Sequence, residues 1–180
     1  MTETTVASGY PAAFLDRDGV INVDVGYPHL IETFRFIPGA PEAIKALNDA
    51  GYRVVVVSNQ SGVARGLFTE EAVRVFNQHI AHSLASFGAK IDAFYFCPYH
   101  PEAAVERYRV DHHERKPRPG MIERAASEMT LDLTRSFLIG DRETDILAAS
   151  AAGIPGYLFK ENNLFSFVEG HGLSTPPQHV

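Results

Sequence analysis

The 180-residue chain has one cysteine, no excess of basic residues and no long apolar run. One cysteine excludes an intrachain disulfide and fits a reducing compartment. The net charge of −6 argues against nonspecific nucleic-acid binding, which depends on a basic surface. No apolar run approaches the roughly 18 residues of a membrane helix, and the opening residues lack the basic and apolar regions of a signal peptide. We therefore expect a cytoplasmic protein that binds neither nucleic acid nor membranes, and we take it to be a monomer.

The length and composition are those of one globular domain. Apolar residues make up 45% and charged residues 21% of the chain, as in ordinary soluble proteins, and the length allows a sizeable core. The sequence contains no internal repeat and no interdomain linker. We expect a single domain over residues 1–170 and a loose tail over residues 171–180, which contains Pro176 and Pro177.

Strand patterns and helix patterns alternate along the chain. The four valines at positions 54–57 predict a strand that is buried on both faces of a parallel sheet. Thr69 is a predicted N-cap. Strands are predicted at residues 12–15, 53–57, 91–96, 137–139 and 156–159, and helices at residues 40–50, from 69, at 119–129 and at 145–152. This alternation predicts an α/β fold with a doubly wound, mainly parallel sheet and no large cap domain.

Several polar residues follow the predicted strands, at the edge where such sheets bind ligands. Asp16 and Asp18 form an acidic pair in which one carboxylate can attack phosphorus while the other handles a proton. Ser58 and Lys116 offer a hydroxyl and a fixed cation for the transferring phosphoryl group. Asp141 can bind a hard divalent cation such as Mg²⁺, which prefers oxygen ligands. Together these parts predict a phosphoryl-transfer site.

Each of these residues has an ordinary structural explanation when it is considered alone. An aspartate at a strand end commonly forms a turn or caps a helix, and Ser58 can terminate a strand. Lys116 is next to Arg115 and could belong to a solvated basic cluster. Asp145, four residues after Asp141, either contributes to the metal site, directly or from behind, or caps the following helix. The phosphoryl-transfer interpretation therefore rests on the combination of the segments.

The four segments resemble the motifs of the haloacid dehalogenase superfamily of phosphatases, in order and in spacing, over roughly residues 12–160. The resemblance implies a Rossmann-like fold and a phosphoaspartate formed on Asp16. It implies that Asp18 protonates the leaving alcohol and then activates water, and that Ser58 and Lys116 stabilise the phosphoryl group. It also implies that Mg²⁺ is held by Asp16, the backbone carbonyl of Asp18, and Asp141.

A narrower resemblance concerns the substrate, which we expect to be a small phosphorylated sugar. The segments 24–27, 58–66 and 115–121 are similar to those of the heptose bisphosphate phosphatases of bacterial envelope synthesis. That similarity implies substrate contacts by Asp24, Gly26, Tyr27, Asn59, Gln60, Ser61, Arg115 and Arg142. Arg142 stands where that group typically has lysine. Histidinol-phosphate phosphatases are the alternative within the same class, and a receiver-type phosphoacceptor module is the alternative outside it, against which Asp18 argues. A nucleic-acid 3′-phosphatase is disfavoured by the net charge.

Two irregular segments are expected to flank the site: a flap at residues 22–37 and a long connection at residues 97–116. Many members of the resembled family hold a structural zinc ion in the long connection through Cys-x-His and Cys-x-Cys pairs. The matching positions here are Cys97, Tyr99, His112 and Glu114, and structural zinc sites favour Cys and His. We therefore expect no well-formed zinc site. The candidate ligands, if one existed, would be Cys97, His100 and His112, with His113 in a shifted register.

Overall fold

The structure, a computed structural model that describes residues 9–176, contains one five-stranded parallel sheet in the order β3-β2-β1-β4-β5. The strands are β1 (Ala12–Leu15), β2 (Arg53–Asn59), β3 (Ala93–Cys97), β4 (Phe137–Gly140) and β5 (Gly156–Leu158). The helices are α1 (Ala40–Asp49), α2 (Ser61–Ala64), α3 (Glu70–Ala85), α4 (Gly120–Met129), α5 (Glu143–Ala151) and α6 (Leu164–Gly170). The predicted α/β class with a parallel sheet is confirmed.

The central strands are buried on both faces because every residue of the apolar runs points into one of two helical layers. Leu15 and Val56 belong to the core beneath α1, α3 and α6, whereas Phe14 and Val55 belong to the core beneath α4 and α5. This alternation makes the sheet doubly wound. The strand order reverses between β1 and β4, which is where open sheets of this kind form ligand crevices.

Element boundaries differ from the predicted ones by a few residues. β2 continues past the valines through Ser58 to Asn59, because both residues pair with β3. α5 begins at Glu143, two residues before the predicted start, so Asp145 lies within its first turn. The predicted N-cap of α3 is confirmed, since the Thr69 hydroxyl accepts a hydrogen bond from the backbone N–H of Ala72 at 3.2 Å.

The C-terminal helix α6 was not predicted, and it extends the packed region. Asn163 caps it by accepting a hydrogen bond from the backbone N–H of Ser166 at 3.0 Å, and its apolar face packs on α1. Leu173 is also buried in this core, and its N–H donates to the carbonyl of Val168 at 3.0 Å. Packing therefore continues past residue 170, where the loose tail was predicted to begin. Residues 177–180 of that tail lie outside the described part of the chain.

The two irregular segments lie beside the carboxyl end of the sheet. The flap, residues 22–37, returns on itself, because the N–H of Val23 donates to the carbonyl of Arg35 at 2.9 Å and a β-bridge joins Asn22 to Phe36. The long connection, residues 97–116, packs Ala103 and Tyr108 in a small cluster with apolar residues of α2 and α3. Among the helices of residues 9–176, none combines the length and apolar character that a membrane span requires.

Candidate active site

A cleft of about 440 Å³ opens at the carboxyl ends of β1 and β2, between the flap and the long connection. Every residue that was predicted to act in catalysis or substrate binding lines it: Asp16, Asp18, Asp24, Gly26, Tyr27, Ser58, Asn59, Gln60, Ser61, Arg115, Lys116 and Arg142. Pro28, Glu143 and Thr144 also line the cleft and were not predicted. The parallel topology explains this convergence, since strands that run in one direction bring their following residues to one edge.

Lys116 is a buried cation at the floor of the cleft, with 4% of its surface exposed. Its Nζ donates to Asp16 Oδ1 at 2.9 Å and to the carbonyl of Val57 at 2.7 Å, and it forms an ion pair with Asp145 Oδ1 at 2.6 Å. The solvated basic cluster considered from the sequence is therefore wrong for this residue. Asn59 fixes the backbone of Lys116, because its side-chain amide exchanges two hydrogen bonds of 3.0 Å with the Lys116 N–H and carbonyl.

Asp16, Asp141 and Asp145 form a carboxylate cluster in which one oxygen of each lies within 4.8 Å of the others. Oδ1 of Asp141 is buried and has no hydrogen-bond partner. Both oxygens of Asp145 are engaged, one with Lys116 and the other with the Arg142 N–H at 3.0 Å. Gly19, at φ +88°, allows the Asp141 carboxylate to pack against the loop after β1, because a Cβ at this position would collide with that carboxylate. The all-oxygen donor set and the unpartnered oxygen fit a hard divalent cation.

The electrostatics of the cluster reflect its burial and crowding. Burial raises the pKa of the Asp16 carboxyl to about 7; Asp145 and Asp18 add to the rise, and Lys116 opposes it. Burial also raises the pKa of Asp141, with a further contribution from Asp145. For Lys116, burial lowers the pKa, but the two flanking carboxylates outweigh it and raise the value overall. A positive charge beside Asp16 and Asp141 would relieve the repulsion between these carboxylates.

Asp18 lies in the cleft but its carboxylate is held by a different set of groups. Arg17 Nε donates to Oδ1 at 2.8 Å and Nη2 donates to Oδ2 at 3.0 Å. Asn22 Nδ2 donates to Oδ1 and Gln60 Nε2 to Oδ2, both at 3.0 Å. Gln60 Nε2 also donates to Ser58 Oγ at 2.8 Å, so one side-chain amide contacts both the Ser58 hydroxyl and the Asp18 carboxylate. No sequence pattern indicated a role for Arg17 or Asn22, and the only signal for Arg17 was its place between two acids.

The rim of the cleft carries charged side chains from three segments. Arg142 Nη2 donates to Asp24 Oδ2 at 3.1 Å, which joins the start of α5 to the flap. Arg115 is held by a hydrogen bond of 3.2 Å from its Nη1 to the Tyr99 carbonyl. The guanidinium of Arg65 lies 6.0 Å from the ring centroid of Tyr27. Burial lowers the pKa of Arg115 and the nearby Arg65 charge acts in the same direction. Among residues 9–176, neither Arg65 nor Arg115 forms an ion pair with a carboxylate.

The four positions of the family's zinc ligands have partners within the fold. Cys97 is buried at the end of β3, and burial raises the pKa of its thiol to about 11. The ring of Tyr99 stacks on that of His112 at 4.4 Å, and Glu114 pairs with Arg124 at 3.3 Å. Of the other zinc candidates, His100 accepts a hydrogen bond from the backbone N–H of Glu102 at 3.0 Å, and Nε2 of His113 lies 2.7 Å from Oε2 of Glu123. The expectation that this loop holds no zinc stays a prediction.

Two family models match the chain. Residues 13–92 match the haloacid dehalogenase-like hydrolases, and residues 113–164 match a HAD-hydrolase-like model. A D-glycero-beta-D-manno-heptose-1,7-bisphosphate 7-phosphatase from Rhodopseudomonas palustris is 48% identical over 166 residues, which cover 92% of this chain and 92% of that relative. The Escherichia coli K12 protein of the same name is 44% identical over 149 residues, which cover 83% of this chain and 78% of that relative.

Solved structures agree with these similarities. The D,D-heptose 1,7-bisphosphate phosphatase from B. bronchiseptica, crystallised with magnesium and phosphate, superimposes with a TM-score of 0.73 at 30% identity, covering 92% of this chain and 90% of that one. A HAD-like phosphatase from Mesorhizobium loti superimposes with a TM-score of 0.79 at 41% identity, covering 83% of this chain and 72% of that one. The family resemblance inferred from the four motifs is confirmed.

Proposed function

Because the chain belongs to the haloacid dehalogenase-like hydrolases, we propose that it is a Mg²⁺-dependent phosphatase that removes the 7-phosphate of a D-glycero-D-manno-heptose 1,7-bisphosphate. The observation that carries the proposal is the arrangement around Asp16. This carboxylate lies on the floor of the cleft, 2.9 Å from the buried Lys116 ammonium and beside an unpartnered oxygen of Asp141. The names of the relatives at 44–48% identity support the choice of substrate.

In the first half of the reaction, a carboxylate oxygen of Asp16 attacks phosphorus in line with the sugar oxygen. The new bond makes an acyl phosphate on Asp16, and the phosphorus–oxygen bond to the sugar breaks. The leaving sugar oxygen takes a proton from the carboxyl group of Asp18. Lys116 and the hydroxyl of Ser58 stabilise the charge on the transferring phosphoryl oxygens. Lys116 suits this task because its position is fixed by three contacts before substrate binds.

In the second half, water attacks the phosphorus of the acyl phosphate and gives its proton to the Asp18 carboxylate. The bond between phosphorus and Asp16 breaks, which restores the Asp16 carboxylate and releases inorganic phosphate. The observed orientation of Asp18, with four hydrogen-bond donors directed at its two oxygens, suits the ionised form that accepts a proton. To serve as the acid in the first half, Asp18 must release one of these donors.

Asp16, Asp141 and the backbone carbonyl of Asp18 are the residues that would hold Mg²⁺, and Asp145 would support them from behind. When bound, the ion supplies positive charge that screens the nucleophile from the phosphate it attacks. Asp145 fits a supporting role because both of its oxygens already have protein partners. The donor groups are all oxygens, as Mg²⁺ requires.

The rim residues are proposed to recognise the rest of the substrate. Arg115 would bind the second phosphate, because its planar guanidinium pairs phosphate oxygens and, among the described residues, it forms no ion pair with a carboxylate. Asp24 and Arg142 would contact the sugar and fix the flap over it. That residues 1–170 form a single phosphatase domain, that the protein is a cytoplasmic monomer, and that it binds neither nucleic acid nor membranes all remain predictions.

The experiment measures phosphate release from heptose bisphosphate, histidinol phosphate and p-nitrophenyl phosphate, with Mg²⁺ and with a chelator. We expect the highest kcat/KM for the heptose bisphosphate and no turnover without the cation. Asp16→Asn should lower turnover by at least about 10³-fold and abolish the acid-stable phosphoenzyme trapped in a single turnover. Asp49→Asn, at an exposed position of α1, is the matched control. Normal turnover by Asp16→Asn would refute the mechanism. A higher kcat/KM for histidinol phosphate than for the heptose bisphosphate would make histidinol phosphate the proposed substrate instead.

A further inference from the structure

Arg17 is the largest fully buried side chain of the described residues, with 1% of its surface exposed, and no step of the proposed reaction uses it. Burying a guanidinium is costly unless its donors are satisfied. In this protein each terminal nitrogen has at least one acceptor, and the charge faces a carboxylate. Because every nitrogen of the guanidinium has an acceptor, the fold holds this side chain in one position.

The partner of the Arg17 charge is Asp18, the proposed acid and base. Nε and Nη2 of Arg17 donate to the two different oxygens of Asp18, at 2.8 and 3.0 Å. Two parallel hydrogen bonds between a planar guanidinium and a planar carboxylate fix the rotation of the carboxylate as well as its distance. Arg17 therefore determines which way the Asp18 carboxylate faces.

The same guanidinium is anchored on two other elements. Nη1 donates to Asn77 Oδ1 on α3 at 3.1 Å, and the guanidinium carbon lies 4.7 Å from the ring centroid of Phe76, also on α3. Nη2 donates to the carbonyl of Pro28 on the flap at 2.8 Å. Asn77 does not line the cleft, so its contact with Arg17 links a distant buried residue to Asp18. The Pro28 contact links the flap to the same group.

We propose that Arg17 is a positioning residue that acts through Asp18, holding its carboxylate in the orientation required for water activation and coupling that orientation to the flap. This inference rests on the proposed function, in which Asp18 transfers protons. Lysine could not substitute, because a single ammonium cannot present paired donors to both oxygens of Asp18 and also reach Asn77 and the Pro28 carbonyl. Arg17 does not line the cleft and acts only through its contacts with Asp18, so its effect on turnover should vanish when Asp18 is removed.

The test separates two rates on p-nitrophenyl phosphate in the presence of Mg²⁺. The burst of p-nitrophenolate reports phosphoenzyme formation, which needs little help from an acid because this leaving group departs as an anion. Steady turnover reports hydrolysis of the phosphoenzyme, which needs Asp18 as the base. We expect Arg17→Lys to lower turnover by about 10- to 100-fold, a part of the range for general acid–base catalysis, and to change the burst rate by less than about threefold.

Two further comparisons exclude a merely structural effect. Adding Arg17→Lys to Asp18→Asn should lower turnover by less than about threefold beyond Asp18→Asn alone, because residues that act as a unit are not additive. Asn77→Ala leaves Arg17 in place and removes one anchor; it should lower turnover by about 3- to 10-fold with an unchanged burst. Gln78→Ala, on the exposed face of the same helix, is the matched control.

Equal losses of burst and turnover in Arg17→Lys, or a full additional loss in the Asp18→Asn background, would overturn the inference. Normal turnover in Arg17→Lys would overturn it as well. If Arg17→Lys does not fold, Asn77→Ala decides, and an unchanged turnover in that variant counts against the inference. Normal turnover in Asp18→Asn alone would instead show that the proposed function has the wrong acid and base.

Discussion

Replacing Lys116 by methionine removes the ammonium that pairs with two buried carboxylates, Asp16 and Asp145, and keeps the length of the side chain. Lys116 contacts Asp16 at 2.9 Å and Asp145 at 2.6 Å, and the side chains of these two acids are 10% and 1% exposed. Breaking a buried ion pair by removing one partner costs about 3–5 kcal/mol, because the remaining charge is uncompensated. We expect the lower end, about 3 kcal/mol, since Asp16 can take up a proton instead of staying charged.

The dependence of this loss on pH follows from the pKa of Asp16. Burial raises that pKa to about 7, above its unfolded value near 3.9, so the folded state binds more protons between these values. The free energy of unfolding should therefore fall as pH rises through this window. Lys116 lowers the Asp16 pKa, so its removal should extend the window upward. Relative to the wild type, Lys116→Met should therefore lose additional stability as the pH rises above about 7, where Asp16 of the wild type has lost its proton and Asp16 of the variant still holds it.

The assay is thermal unfolding in chelator, at several pH values, together with kcat/KM in Mg²⁺. For a chain of this length each kcal/mol corresponds to about 2–4 °C, so Lys116→Met should lower Tm by roughly 6–12 °C. Loss of one preorganised charge at the phosphoryl group should lower kcat/KM by about 10²- to 10³-fold. Lys45→Met is the control, because Lys45 pairs with Asp49 on the surface, where ion pairs contribute at most about 1 kcal/mol. A Tm change below about 2 °C, or kcat/KM within tenfold of wild type, would refute this account of the cluster.

Three other variants or measurements test the rest of the site. Mg²⁺ at 100 times its Kd should stabilise the wild type by about 2.7 kcal/mol, and Asp141→Ala should lose that response in a thermal-shift titration; an equal response would remove Asp141 from the metal site. Arg115→Ala should lower kcat/KM for a bisphosphate by an amount equal to roughly 2–4 kcal/mol of activation free energy, and it should leave kcat/KM for p-nitrophenyl phosphate nearly unchanged. Arg118→Ala, at an exposed position, is the control. Equal losses on both substrates would place Arg115 in the chemical step. Metal analysis of protein prepared without chelators should find no stoichiometric zinc in residues 97–116, and about one zinc per chain would contradict this.

Much of the site was predictable because the topology of the sheet follows from short-range patterns. The valines before Ser58 and the apolar run before Asp16 each predict a buried strand, and parallel strands bring their carboxyl ends to one edge. Residues that follow the strands were therefore expected to converge, and all twelve predicted catalytic and substrate-binding residues line one cleft. The direction of the strands was enough to predict this convergence for Asp16, Ser58 and Asp141, whereas the substrate contacts at residues 24–27 and at Arg115 were implied by the family resemblance.

The partners of the charged side chains were not predictable by the same reasoning. Arg17 contacts Asn77 across 60 positions of sequence and Gln60 across 43. Neither spacing belongs to a helix or strand period, so no local pattern predicts these contacts. An isolated arginine is also most often exposed, and the sequence alone therefore favours a surface position. Its burial becomes explicable only when α3, the flap and the loop after β1 are assembled around it.

Asp145 shows why two sequence interpretations of one residue need not exclude each other. Its position at the start of a predicted helix favoured a cap, and its spacing from Asp141 favoured the metal site. A carboxylate has two oxygens, and the fold uses them differently: Oδ2 accepts a hydrogen bond from the Arg142 N–H at 3.0 Å, while Oδ1 pairs with Lys116 at 2.6 Å. The cap thus sets the direction of the second oxygen, which in turn fixes the ammonium beside Asp16. A helix-capping residue can therefore also fix the position of a buried charge in the cleft.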